Sequence, residues 1–256
     1  MNEIEDISTF LPSTKKNVCL VFRGELLRNT LSRYHNNIKN KQLREPDLSE
    51  ESLIRQDDIM KSIINNIILP YENNGFNVFI SGCLYECNHY NNNLKEFFPN
   101  NTIKKIKAGE TNQAEVYYKS IEQAEKEHPN CIEYISLRVD YIMLKNIIIK
   151  DLDSHLSTVG FAWKNTKYPD VDVFYIISKN ALIIFKNILY NIGLRKNYID
   201  THSITVTLKK KKVLLYPIWT NYENQSTSLT YNKYIEDIEE HKNRPFVNYI
   251  FKSSNE

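Results

Sequence analysis

The sequence predicts an α/β fold in which a mainly parallel sheet is flanked by helices. Three observations favour this class: short apolar runs typical of buried strands, longer amphipathic runs of helical spacing, and an alternation between the two. The 256 residues, with 41% hydrophobic and 25% charged side chains, are enough for one substantial core. The connecting segments are rich in Asn and contain no Gly/Ser linker, so we expect a single continuous domain over 1–256.

The first half of the chain contains most of the alternation. An apolar strand over Asn17–Phe22 is followed by a polar stretch, Asn29–Arg44, and then by a helix over Asp47–Leu69 that Pro70 ends. A turn at Asn73-Asn74-Gly75 leads into the next strand. The later elements are strands over Phe76–Ser81 and Thr102–Lys107, a helix over Gln113–Glu127, and a strand that starts at Cys131 and breaks at the polar residues Arg138 and Asp140.

The second half predicts shorter strands, a long helix and a small antiparallel hairpin. The amphipathic run Lys179–Ile192 is typical of a helix and ends at Gly193. Apolar segments on either side of Lys209–Lys212 favour a hairpin with the four lysines at its tip. The predicted strands are Val159–Trp163, Val171–Ile177, Ile204–Leu208 and Val213–Tyr216, and Tyr231–Lys242 is predicted to form a closing helix.

Charge and cysteine content narrow the classes of function. With 33 basic and 31 acidic residues the net charge is +2, so the chain is not a polycation built for nucleic acid. Cys83, Cys87 and His89 make an incomplete zinc site, and buried reduced thiols are expected at all four cysteines. Apolar runs fall short of the roughly 20 residues of a membrane span, and the start lacks a signal-peptide core, so we expect a cytoplasmic protein.

Common catalytic motifs are absent from the sequence. It contains no P-loop, no G-x-G-x-x-G, no H-E-x-x-H and no G-x-S-x-G. Their absence disfavours kinases, standard dinucleotide enzymes, metalloproteases and α/β-hydrolases.

Polar residues follow the first predicted strand at a place where open α/β sheets bind ligands. Gly24 allows close backbone approach, and Arg23 and Arg28 suit an anionic ligand such as a diphosphate. The alternative is a turn glycine between two solvated arginines. The sequence alone leaves both interpretations open.

Two further polar clusters border predicted strands. Arg138 and Asp140 lie on one side of their strand, where the carboxylate can hold a divalent ion and the arginine can neutralise a leaving group. The alternative is a structural ion pair. Asp170 and Asp172 precede a strand and can supply a general base or a ligand for a sugar hydroxyl, unless they only form a strand-entry turn.

The order of five short motifs is more informative than any one of them. They are Arg23-Gly24-Glu25-Leu26-Leu27-Arg28, Asn77-Val78-Phe79-Ile80, Gln113 with Ser120 and Ala124, Arg138-Val139-Asp140, and Asp172-Val173-Phe174 followed by the run Ser178 to Leu189. Over Asn17 to Leu189 this order resembles the small glycosyltransferases with a GT-A-like fold found in large DNA viruses, bacteria and algae. The abundance of Asn, Ile and Lys, which AT-rich codons specify, agrees with a giant-virus origin.

The resemblance implies a nucleotide-sugar donor bound by 17–150 and a glycan or glycoprotein acceptor bound by 151–250, in the synthesis of viral surface glycans. Asp172 and Arg138 would be the catalytic residues, and Asp140 would bind a divalent cation, Mn²⁺ or Mg²⁺. R-x-D stands where the family usually has D-x-D, so one acid is missing. The residues expected to contact the donor are Arg23, Gly24, Arg28, Gln113 and Asp140.

Two other classes of function remain alternatives at this stage. One is a non-catalytic interaction protein, a degenerate transferase that binds a glycan or a protein but turns over no donor. The other is a nucleic-acid-binding protein that uses Lys209–Lys212, although a solvated lysine run is the simpler interpretation. A steep salt dependence of affinity for DNA or RNA is the test of the second.

Overall fold

The computed structural model describes residues 15–27, 46–107, 113–150, 155–162, 173–194, 204–219 and 246–248. Two predicted segments, Asn29–Arg44 and Tyr231–Lys242, lie outside these residues. The strands are β1 Lys16–Gly24, β2 Phe76–Tyr85, β3 Thr102–Ile106, β4 Glu133–Arg138, β5 Tyr141–Met143, β6 Thr158–Phe161, β7 Phe174–Ser178, β8 Leu214–Pro217 and β9 Phe246–Asn248. The helices are α1 Glu50–Ile63, α2 Leu69–Asn73, α3 Asn91–Phe97, α4 Gln113–Glu127, α5 Lys179–Leu194 and α6 Ile204–Lys210, with a short 3₁₀ turn at Asn88–Tyr90.

A seven-stranded sheet is the centre of the structure, in the order β3-β2-β1-β4-β7-β6-β8. β7 runs antiparallel to its neighbours β4 and β6, and the other pairs are parallel. β5 and β9 form a separate antiparallel pair. The mainly parallel, helix-flanked sheet that the sequence predicts is therefore confirmed, and strands from both halves of the chain contribute to it.

The strand order reverses beside β1. From β1 the chain adds β2 and then β3 on one side, and it later returns to place β4 on the other side. Ligands of open α/β sheets bind outside the carboxyl ends of the strands at such a reversal, because the two crossovers leave in opposite directions and open a crevice. The residues paired at this point are Arg23 of β1 and Arg138 of β4.

Each face of the sheet is buried under its own set of helices. Val18, Leu20 and Phe22 of β1 pack on the side of α1, and the intervening Cys19 and Val21 pack on the side of α4, α5 and α6. This alternation is the period-two pattern of a strand buried on both faces. Arg23 therefore continues the side that α4 covers.

The long helix after β1 does not end at Pro70, which corrects the prediction. Ser49 caps the amino end of α1, and its Oγ accepts a hydrogen bond from the Ser52 N–H at 3.2 Å. A π-helical stretch, Ile64–Ile68, then joins α1 to α2. Proline lacks the N–H that would bond to the carbonyl four residues earlier, at Asn66. That carbonyl accepts the N–H of Ile147 at 2.8 Å instead, so the helix continues past the proline.

The predicted hairpin around the lysine run is wrong. Its first arm is the helix α6, because Ile204 and Leu208, four residues apart, are both buried while Val206 between them is 40% exposed. The second arm is β8, which pairs parallel with β6 and not with its neighbour in sequence. The apolar residues of this short segment fit both the two-residue period of a strand and the 3.6-residue period of a helix. The buried positions, Ile204 and Leu208, are those of a helix.

Other predictions agree with the structure closely. α4 has the predicted bounds, β1 and β3 differ from theirs by one or two residues, and β2 extends four residues beyond Ser81. The four cysteines, Cys19, Cys83, Cys87 and Cys131, are buried free thiols. Across the described ranges, no helix combines the length and the apolarity that crossing a membrane requires.

Candidate functional site

Arg23 is a buried cation at the carboxyl end of β1. Its side chain is only 2% exposed, and its guanidinium lies over the ring of Tyr117 with the Cζ atom 3.9 Å from the ring centroid. In the described part of the chain, the Nε and Nη2 atoms of Arg23 have no hydrogen-bond partner. Buried polar groups in native proteins are nearly always paired, so these donors are unusual, and they can bind an anion.

Tyr117 gives Arg23 a rigid aromatic support. It is the fifth residue of α4, and its ring meets that of Phe185 edge-on, with 5.7 Å between centroids. Tyr175 of β7 completes the cluster, 5.3 Å from Phe185. A cation over the face of an aromatic ring keeps its in-plane N–H groups available for other partners. The support therefore holds the guanidinium without satisfying its donors.

Arg138, the last residue of β4, forms a buried ion pair with Asp140. Nε of Arg138 donates to Oδ1 of Asp140 at 2.9 Å, and Nη2 donates to Oδ2 at 2.5 Å. The guanidinium also lies 5.1 Å from the ring centroid of Tyr141. The two residues are 9% and 3% exposed, so the structure contains the structural ion pair that the sequence left open as the alternative. A two-point pair of this kind fixes the plane and direction of the guanidinium.

Two residues at the end of β1 and in the loop that follows it have positive φ angles. Gly24 has φ +105°, a value disfavoured for residues with a Cβ atom, and no described atom lies within 4 Å of where a Cβ would be. Leu27 has φ +48°, which is uncommon for a leucine and is held by its hydrogen bonds. Val139 donates its N–H to the Arg23 carbonyl at 3.2 Å. The β1 and β4 loops are thus joined at their bases.

Gln56 of α1 connects the same two loops through its side chain. Its Oε1 accepts the N–H of Leu27 at 2.8 Å, and its Nε2 donates to the carbonyl of Val139 at 2.9 Å. Gln56 is 3% exposed, so both bonds are buried. The sequence analysis missed this residue, although its position three and four residues before Ile59 and Met60 places it on the buried face of α1.

The amino end of α4 lies at the same edge of the sheet, because the helix follows the parallel strand β3. Gln113 is its first residue and is exposed. The first turn of a helix presents unpaired N–H groups and a positive dipole end, both favourable to anions. Further along, Ser120 accepts the Cys83 N–H at 3.1 Å and donates to Val116 at 2.8 Å, so this residue anchors α4 to β2.

Cys83 is the residue of β2 that pairs with Arg23, and its thiol is not a nucleophile. Burial raises the pKa of Cys83 to about 11, although the Ser120 hydroxyl and neighbouring lysines lower it in part. The thiol is therefore protonated at neutral pH, and the thiolate is the reactive form. A covalent cysteine mechanism at this edge is disfavoured.

Asp140, the predicted metal ligand, is bonded to a guanidinium in this structure. Both of its carboxylate oxygens accept hydrogen bonds from a guanidinium, and a divalent cation at the same oxygens would meet that positive charge at close range. Among the residues that the structure describes, no three His, Cys, Asp or Glu side chains come together as a metal site.

Several predicted site residues lie outside the described residues: Arg28, Asp170 and Asp172. Val173, the residue after Asp172, is described, and its carbonyl accepts the N–H of Arg138 at 3.2 Å.

Lys209–Lys212 lies at the opposite edge of the sheet from Arg23. The lysines precede β8, which runs parallel with β6, so they lie at the amino edge of the sheet, opposite to the candidate site.

Comparisons with known proteins find similar structures but no similar sequence family. No protein-family model matches the chain, and no curated protein matches it. A glycosyltransferase involved in the glycosylation of the major capsid of PBCV-1 is 14% identical, with a TM-score of 0.47 over 93% of this chain and 94% of that chain. The glycosyltransferase GlyE of Streptococcus pneumoniae is also 14% identical, with a TM-score of 0.48 over 93% and 55%.

A third similar structure is a nucleoside-diphosphate-sugar pyrophosphorylase from Vibrio cholerae. It is 9% identical, with a TM-score of 0.46 over 80% of this chain and 93% of that chain. Similarity at these identities and TM-scores carries no information about what this chain does. Its function has to be inferred from the residues of the site.

Proposed function

We propose that the protein is a glycosyltransferase that takes a sugar from a nucleotide-sugar donor at the carboxyl edge of β1 and β4. The observation that carries this proposal is the buried guanidinium of Arg23, whose Nε and Nη2 lack partners among the described residues. It lies at the strand reversal where α/β sheets bind nucleotides and over Tyr117, the fifth residue of α4. An anion with several phosphate oxygens satisfies such a set of donors.

The proposed reaction is a displacement at the anomeric carbon. Asp172 takes the proton of an acceptor hydroxyl, the acceptor oxygen bonds to the anomeric carbon, and the bond from that carbon to the phosphate oxygen breaks. The electron pair leaves with the nucleoside diphosphate, where Arg138 stabilises the developing charge. The acceptor hydroxyl belongs to a glycan or a glycoprotein, bound by 151–250.

Gln113 and Arg28 complete the proposed donor site. Gln113 is exposed at the first residue of α4, at the same edge of the sheet as Arg23. Arg28 follows the loop that Gln56 holds, four residues after Gly24. A second arginine near a diphosphate adds charge and donors with a fixed planar geometry.

Donor turnover tests the proposed function directly. The full chain is incubated with UDP-, GDP-, dTDP- and CMP-sugars, with and without glycan acceptors, and released nucleotide is measured by chromatography. We expect release from one donor class, slow with water and faster with an acceptor. Release lost in Arg23→Gln and kept in Lys209→Gln, a charge change at the opposite edge, supports the site. Failure of every donor to bind or turn over contradicts the proposal.

A further inference from the structure

The two arginines paired at the strand reversal are in different electrostatic states. Arg138 has the Asp140 carboxylate at the edge formed by its Nε and Nη2 atoms, so the two opposite charges largely offset each other. Arg23 has Tyr117 beneath it and two nitrogens without partners in the described ranges. Of these two arginines, Arg138 has a carboxylate partner, and Arg23 is the one whose Nε and Nη2 have no partner among the described residues.

Both carboxylate oxygens of Asp140 accept a hydrogen bond from Arg138. Moving Arg138 aside to admit a cation would separate a buried guanidinium from its carboxylate, and keeping it there would place two positive groups on one carboxylate. The chemistry of this carboxylate thus favours positioning Arg138 over ligating a metal.

The charge and the hydrogen-bond donors of Arg23 suit a diphosphate. Its charge is buried, which strengthens its attraction for an anion relative to a solvent-exposed lysine. Its unpaired N–H groups lie in the plane of a guanidinium, the arrangement that matches two phosphate oxygens. The guanidinium lies over Tyr117, which is the fifth residue of the 15-residue helix α4. The positive amino end of the helix dipole therefore adds to the positive potential of Arg23.

We propose that this protein binds the diphosphate of its donor through the guanidinium of Arg23 without a divalent cation, and that Asp140 is a positioning residue for Arg138. The inference rests on the proposed function and deepens it, since it specifies a nucleoside diphosphate sugar and a cation-independent site. The predicted consequence is that binding survives removal of all divalent metal.

Calorimetric titration of the full chain with UDP, GDP and dTDP, in EDTA and in Mn²⁺ or Mg²⁺, tests this inference. We expect one nucleotide to bind with dissociation constants that agree within about twofold between the two conditions, and Arg23→Gln to weaken binding by about tenfold or more. Lys209→Gln is the charge control and is expected to bind like the natural sequence.

Asp140→Asn separates a positioning role from metal ligation. A positioning residue predicts that nucleotide affinity in EDTA does not fall, because Arg138 loses only its negative partner. Binding that appears only with the cation, and that Asp140→Asn abolishes while Arg23→Gln keeps it, overturns the inference but leaves the proposed function standing. Absence of nucleotide binding in every condition overturns both.

Discussion

Arg23 and Arg138 are paired residues of the adjacent parallel strands β1 and β4, and their guanidinium groups have different surroundings. Arg138 is bonded at two points to Asp140. Arg23 lies over Tyr117, with Nε and Nη2 unpartnered in the part of the chain that the structure describes. A protein that keeps a buried cation in this state gives up stability at that position, which is common at binding sites.

Removing the charge of Arg23 is expected to stabilise the ligand-free protein. Arg23→Met keeps the aliphatic packing and loses a buried charge, at the cost of the contact with Tyr117. We expect the melting temperature to rise by about 2–4 °C, the shift that ~1 kcal/mol produces in a domain of this size. Arg55→Met is the matched control, because Arg55 is also buried but is paired with Glu51. A fall in melting temperature for Arg23→Met comparable to that of the control would contradict this prediction.

Asp140→Asn is expected to reduce transfer much more than it reduces donor binding. The amide still accepts one bond from Arg138 but no longer offers two charged oxygens, so the direction of the guanidinium is less fixed. We expect kcat to fall by about 100-fold or more, the loss typical of a removed electrostatic stabiliser. Steady-state kinetics separates kcat from KM, and Asp58→Asn removes a carboxylate from an exposed ion pair as control. An unchanged kcat in Asp140→Asn would remove this residue from the site.

Gln56→Leu tests whether the two loops must be held together. The substitution leaves the Leu27 N–H and the Val139 carbonyl buried without their partner, at a cost of about 1–3 kcal/mol in the free energy of unfolding. We expect a raised KM for the donor in addition. Gln123→Leu is the control, since Gln123 is a buried glutamine that bonds to Thr102 and Glu127 instead. Equal KM values in the two variants would show that the loops need no such connection.

Glu133 provides a prediction for the pH dependence of stability. Burial raises the pKa of Glu133, and the hydrogen bond from Tyr71, 3.1 Å long, lowers it in part. A raised folded pKa means that the stability contribution is complete below the ordinary Glu value of about 4.3 and is lost as pH rises through the folded value.

Glu133→Gln is therefore expected to match the natural sequence at pH 4 and to be more stable than it at pH 7. Urea unfolding at the two pH values measures the difference. Glu122→Gln, which removes an exposed carboxylate that also accepts from a tyrosine, is the control. Equal stability of Glu133→Gln and the natural sequence at both pH values would contradict the prediction.

The sequence predicts the sheet and its helices well because the spacing of apolar residues differs between the two: buried strands are short apolar runs, and amphipathic helices repeat every 3.6 residues. It fails where a distant group decides the local structure. Pro70 continues a helix because Ile147 supplies the donor that the proline lacks, and no local pattern contains that bond. In Ile204–Lys210 both periods fit, and only packing against α5 distinguishes them.

The site shows the same division. The sequence predicts Arg23 and Arg138 as candidate residues because each is a charged residue at the end of a largely apolar run, and the structure places them at the ends of β1 and β4. Spacing in α1 indicates that Gln56 is buried, but its two loop partners, 29 and 83 residues away, are set by the sheet order. The same holds for the stacking of Arg23 on Tyr117, since β1 and α4 meet only in the folded chain.

The most direct test of the central claim is nucleotide binding by the natural sequence and by Arg23→Met. Thermal-shift or calorimetric titration with UDP-, GDP-, dTDP- and CMP-sugars measures it, because a ligand that binds the native state raises the melting temperature by mass action. The account predicts that a nucleoside diphosphate sugar binds the natural sequence, that the CMP-sugar with its single phosphate binds less well, and that Arg23→Met binds neither. A nucleotide sugar that binds Arg23→Met as tightly as the natural sequence would contradict it.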